Sequence, residues 1–125
     1  MADILVVEDD AQQRSQIVVA LVRSGHRVEE ASGGNEALSK LQGKRYDLLL
    51  TDLMMDQGTG FDVLEWVRES APGLPVLICS SYAKAENLKT FLTTQFYRIV
   101  RKPFRPDDLV DQVRDLLASA TRRHT

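Results

Sequence analysis

The chain has 125 residues, enough for one ordinary domain and too few for two. Its composition, 43% hydrophobic and 27% charged with a formal net charge of -2, is that of a globular protein, and no charge excess points to nucleic acid or an anionic membrane. One cysteine excludes an internal disulfide framework, no apolar stretch approaches the ~18 residues of a membrane span, and MADILVVEDD does not read as a signal peptide, so the cytoplasm is expected.

Ile4 to Val7 is a short apolar, β-branched run, suited to a strand covered on both faces, and it stops at Glu8, Asp9 and Asp10. From Ala11 to Ser24 the period becomes helical, with Ile17, Ala20, Leu21 and Ser24 on one stripe, Val18 and Val22 widening it, and Gly25 as the C-cap. Arg27 to Ala31 is a weaker strand. Ala37, Leu38 and Leu41 mark a short helix ended by Gly43.

Tyr46 to Thr51 is the second strongly apolar strand and leads into Asp52. A helix follows over Phe61 to Glu69, with Phe61, Leu64 and Val67 inward, and then Pro72, Gly73 and Pro75 punctuate the chain. Val76 to Cys79 is the next strand, ending at Ser80 and Ser81; Cys79 within VLICSS reads as a buried strand thiol. Ala83 to Thr93 is helical but mixed, and Phe96 to Val100 makes a fifth strand before Lys102-Pro103-Phe104. Asp107 to Ala118 is a last amphipathic helix, with Leu109, Val110, Val113, Leu116 and Leu117 on its apolar face. Pro106 and the acids after it suit a helix start, but Arg105 is a poor cap. Residues 1–120 are expected to form a single domain and 121–125 a frayed tail.

Five strand–helix alternations favour an α/β, doubly wound parallel sheet with helices on both faces. Ligands in such sheets bind beyond the carboxyl ends of the strands. Glu8, Asp9, Asp52, Ser80 and Lys102 all stand there, so the architecture gathers them at one rim. Three carboxylates aimed at one place repel, and Mg2+, a hard cation that takes oxygen ligands, resolves that cost. Lys102 adds a point charge suited to a phosphoryl oxygen and Ser80 a hydroxyl. Together they form a plausible phosphoryl-transfer site in which an aspartate is the nucleophile. A flavin- or nucleotide-holding protein of similar architecture is disfavoured, because no Gly-x-Gly-x-x-Gly follows the first strand and an acidic rim repels phosphate without a metal.

ILVVEDD, the acid ending the third strand with Gly60 eight residues on, Ser80 ending the fourth strand and KPF after the fifth together resemble a response-regulator receiver domain of two-component signalling, over residues 3 to 118. The resemblance implies a (βα)5 flavodoxin-like fold with strand order 2-1-3-4-5. It implies that Asp52 is the phosphoacceptor and a Mg2+ ligand, with Glu8, Asp9 and the backbone carbonyl of Met54 completing the set. Asp10 comes one residue late and is assigned no metal role. Ser80 matches the switch hydroxyl, Lys102 the lysine that contacts phosphoryl oxygens, and Lys102-Pro103 a cis peptide bond. The implied donor is a phosphohistidine of a partner kinase or phosphotransfer protein. The implied output is a downstream protein or a fused domain absent from this chain, and phosphorylation shifts a two-state equilibrium.

Three departures from the family pattern stand out. Asp56 replaces a usual proline. Ile99 falls where a switch aromatic is usual; alternation puts Tyr97 on the same side as Ile99, where it is a substitute or, more simply, a packing residue. Gln95 and Phe96 replace a small Gly-Ala pair. The resemblance implies that the positions of Met54 and Tyr82 flank the site; a methionine and a tyrosine there would crowd the path of an attacking water and offer it no base, so slow self-dephosphorylation is expected. A phosphorylation-independent interaction module is the alternative function. No helix-turn-helix is expected within the residues given after 118, and direct nucleic-acid binding is not expected of them. The reading leaves open a stand-alone receiver or one cut from a larger chain, and a monomer or a homodimer.

Overall fold

A computed structural model of the chain describes residues 2–53, 60–80 and 97–124. In order these form β1 (Asp3–Val7), α1 (Ala11–Arg23), β2 (Arg27–Ala31), α2 (Gly34–Gly43), β3 (Leu48–Asp52), α3 (Gly60–Ser70), β4 (Val76–Ser80), β5 (Tyr97–Arg101) and α4 (Pro106–His124). The helix expected over Ala83 to Thr93 lies outside the described residues.

All four strand pairings are parallel and the order is β2-β1-β3-β4-β5. This is the doubly wound sheet that the alternation and the resemblance predict. β1, β3 and β4 are its inner strands, which is why they are written as nearly continuous apolar runs: such strands are covered on both faces. Side chains alternate between two cores. Leu5, Val7, Leu49, Val76 and Ile78 join α2 and α3 residues on one face. Ile4, Val6, Leu48, Leu50, Leu77 and Cys79 join Ile17 and Leu21 of α1 and Leu109, Val113 and Leu116 of α4 on the other.

The register places the chemistry. Val7 pairs with Thr51, so Glu8 and Asp52 are the next residues of adjacent strands. Asp52 pairs with Cys79 and Ser80 with Arg101, so Ser80 and Lys102 follow at the same end of the sheet.

Several boundaries differ from the sequence reading. β3 begins at Leu48 rather than Tyr46 and includes Asp52, and β5 extends one residue past its expected end, to Arg101. On α1 only Ile17 and Leu21 are buried; Val22, expected to widen the stripe, is 52% exposed, and Ser24 is exposed with its hydroxyl donating to the Ala20 carbonyl. Gly25 follows the helix with φ +93, the left-handed conformation expected of a residue just past a C-cap. α4 continues to His124, so 121–124, expected as a frayed tail, are helical. Ala120 is buried one turn beyond Leu116 and carries the stripe on. Asp108 solves the Arg105 problem: its carboxylate accepts from the Arg105 backbone N–H at 3.3 Å, the backward half of a capping box. Among the described residues no helix is long and apolar enough to cross a membrane.

Candidate functional site

β1 ends as a buried strand and delivers Glu8 with 2% exposure. The Glu8 N–H donates to the Ala31 carbonyl at the end of β2 (3.1 Å), so the acid is held before its side chain is considered. Its Oε2 accepts from the Asp9 N–H at 3.1 Å. Asp10 then turns the chain into α1: its Oδ1 accepts from the Gln13 N–H at 2.9 Å as the N-cap. That cap gives Asp10 a structural task apart from its two acidic neighbours.

Asp52 ends β3, where every residue is buried. Oδ1 accepts from the Leu53 N–H at 2.6 Å, and Oδ2 accepts from Lys102 Nζ at 2.7 Å. The same Nζ donates to Glu8 Oε1, also at 2.7 Å. One ammonium therefore bridges two carboxylates from adjacent strands. Lys102 reaches them across β4, its backbone N–H donating to the Ser80 carbonyl at 2.8 Å. The Lys102–Pro103 peptide bond is cis.

Burial pushes the Glu8 carboxyl up to about 7, and the negative charge of Asp52 adds to the rise while the Lys102 hydrogen bond opposes it. For Lys102, burial lowers the pKa, but the hydrogen bonds to Asp52 and Glu8 outweigh it and the net shift is upward. Burial also pushes the Cys79 thiol up, so it is an inert core residue.

Oxygens of Glu8, Asp9 and Asp52 lie within 4.8 Å of one another. Three carboxylates at this spacing, two buried and one half-exposed, fit a hard divalent cation such as Mg2+, which takes oxygen ligands and keeps waters on its open side. Of the residues predicted from sequence, Glu8, Asp9, Asp52 and Lys102 converge by side chain. Ser80 stands buried at the same end of the sheet. Tyr97 and Ile99 share one face of β5, both half-buried against the core formed with α2 and α3. Met54, Asp56, Tyr82, Gln95 and Phe96 lie outside the described residues.

Two residues carry more than the sequence reading assigned. In the sequence Gly60 stands out only by its place eight residues after Asp52, where a glycine reads as a turn into the helix. Its need for glycine is instead a close approach: a Cβ there would meet the Asp52 carbonyl oxygen inside any normal contact and the Leu53 Cα at 2.7 Å, while its N–H donates to the Leu53 carbonyl. Arg14, one turn into α1, donates to the Glu8 carbonyl at 2.7 Å. An arginine on a helix's first turns reads as solvated, and no local signal marks it.

The model of the response regulator receiver domain family matches residues 4–114. The transcriptional regulatory protein ResD of Bacillus subtilis is 34% identical over 95% of the chain, which spans 49% of ResD. The response regulator receiver protein CpdR of Brucella abortus is 29% identical over 96% of the chain and is covered along its whole length. The crystal structure of the response regulator TrrA from Thermotoga maritima in complex with Mg(2+)-BeF superposes with a TM-score of 0.81 at 27% identity, over 93% of this chain and 99% of that one. By family match, fold and the acidic cluster at its rim, the chain belongs to the response regulator receiver domains.

Proposed function

We propose that the chain is a phosphoacceptor switch or relay in which Asp52 takes a phosphoryl group from a phosphohistidine of a sensor histidine kinase or a histidine phosphotransfer protein. A carboxylate oxygen of Asp52 forms the new P–O bond. The P–N bond breaks, and the imidazole leaves with its electron pair and takes up a proton. The observation that carries this reading is the Asp52 carboxylate at a buried strand end, 2.7 Å from Lys102 Nζ and clustered with Glu8 and Asp9.

Glu8, Asp9 and Asp52 are the residues that would hold Mg2+, with the Met54 carbonyl as the remaining protein ligand; the bound ion supplies positive charge against the oxygens of the transferring group. Lys102 already reaches the Asp52 oxygen and lies where it follows those oxygens as charge builds on them. Ser80, at the end of β4, is the switch hydroxyl. Met54 and Tyr82 screen the acyl phosphate from water, so self-dephosphorylation is slow. The downstream target is a protein surface or a fused output domain.

A second reading, a phosphorylation-independent interaction module, draws on Ile99, which packs into the core where an aromatic rotamer switch is usual. The two separate experimentally. With a competent phosphohistidine donor and Mg2+, wild type acquires label and Asp52→Asn does not. Unlabelled wild type with donors that label other receivers favours the interaction module.

A further inference from the structure

We propose that Arg14 is a positioning residue for the acidic cluster, pinning the Glu8 peptide so that Glu8 and Asp9 present their carboxylates to one cation. The inference rests on the reading of Glu8, Asp9 and Asp52 as metal ligands.

The turn from β1 to α1 contains only Glu8, Asp9 and Asp10. Its two ends are held by the Glu8 N–H on Ala31 and by the Asp10 cap. Arg14 pins the middle. Its Nη1 donates to the Glu8 carbonyl at 2.7 Å while its Nε donates to Glu30 Oε1 at 3.1 Å. A guanidinium is planar, so two bonds made through different edges fix its orientation in a way a lysine cannot reproduce. Glu30 is itself tied down, its carbonyl accepting from Lys40 Nζ on α2. The Glu8 peptide thus has both its N–H and its C=O assigned to edge strand β2, one directly and one through Arg14. Its carboxylate is then aimed by Lys102 and the Asp9 N–H.

Magnitude decides between orientation and simple stabilisation. The Arg14–Glu30 pair leaves the Glu30 side chain 50% exposed, and exposed pairs contribute little stability. Residues that orient ligands from behind nevertheless change metal affinity by about tenfold or more. Charge also separates the alternatives, because the Arg14 cation repels a divalent ion. If Arg14 acted only through its field, removing it would tighten Mg2+ binding; if it positions Glu8, removing it weakens binding.

The test is calorimetric titration with Mg2+ at fixed ionic strength, with the thermal midpoint of each metal-free protein measured in parallel. We expect Arg14→Ala to bind Mg2+ about tenfold more weakly. Arg14→Lys, which keeps the charge and loses the fork, falls between the two. Glu30→Gln, which leaves Arg14 present but loosely held, is also weaker than wild type. Arg27→Ala, which removes an arginine paired with Asp3 at the far end of β2, binds as wild type does. Wild-type or tighter affinity in Arg14→Ala overturns the inference, as does an equal loss in Arg27→Ala. Should Arg14→Ala fail to fold, wild-type affinity in both Arg14→Lys and Glu30→Gln overturns it. Absence of Mg2+ binding by wild type overturns the metal reading and this inference together.

Discussion

Lys102 Nζ lies 2.7 Å from Glu8 Oε1 and 2.7 Å from Asp52 Oδ2, so a single ammonium neutralises the ends of two adjacent buried strands. Removing it leaves two carboxylates without their shared partner. Breaking such a pair from one side costs several kcal/mol when the survivors stay charged. Here Glu8 can take a proton instead, so Lys102→Met is expected to lose about 2 kcal/mol at pH 8 and less at pH 5. Chemical denaturation at the two pH values checks both the size and the trend.

Glu8 itself sets a pH dependence. Its folded pKa of about 7 lies above its ordinary 4.5. The folded state therefore holds the Glu8 proton more tightly than the unfolded chain does. The associated stability is complete below about 4.5 and is lost as pH rises through about 7. Glu8→Gln removes this liability and is expected to be more stable than wild type at pH 8, by on the order of 1–3 kcal/mol, with the difference vanishing toward pH 4. A difference that stays constant between those pH values contradicts the assignment. The same proton competes with a cation, so Mg2+ affinity in wild type should climb between pH 6 and 8.

Asp9 and Asp10 are adjacent, and the proposed function gives them different tasks. Asp10→Ala removes the α1 cap and should cost about 1 kcal/mol while leaving Mg2+ affinity intact. Asp9→Ala should do the reverse, abolishing most Mg2+ binding with little change in the metal-free melt. Calorimetric Mg2+ titration and thermal unfolding of both variants give the comparison.

Gly60→Ala is expected to displace the Asp52–Leu53 backbone, costing roughly 1–3 kcal/mol and slowing phosphoryl uptake, because the new methyl meets main chain that cannot rotate away. Gly73→Ala is the matched control. A Cβ there has nothing within 4 Å, and the change should stay within about 0.5 kcal/mol of wild type.

Much of this site is legible in the sequence because buried parallel strands announce themselves. Ile4–Val7, Leu48–Thr51 and Val76–Cys79 are apolar runs that end in polar residues, and parallel order carries those ends to one rim. Glu8, Asp52 and Ser80 could be found that way, and Lys102 by its place just after the fifth strand. What sequence could not place depends on contacts between distant residues. Arg14 matters through a carbonyl six residues back and a carboxylate on β2, neither of which has a periodic signature. Gly60 matters through a backbone approach, and glycine in a loop reads equally well as a turn. The extension of α4 was hidden because Ala120, small and weakly hydrophobic, carries the buried stripe past Leu117.

The central claim is that Asp52 accepts a phosphoryl group in a site completed by a divalent cation. The direct measurement is intact-mass spectrometry after incubation with a small acyl phosphate, followed by peptide mapping, with Mg2+ and with EDTA. The account predicts one phosphoryl adduct on the peptide containing Asp52, present with Mg2+, lost with EDTA and absent from Asp52→Asn. An adduct that persists in Asp52→Asn, or one that forms equally in EDTA, contradicts it.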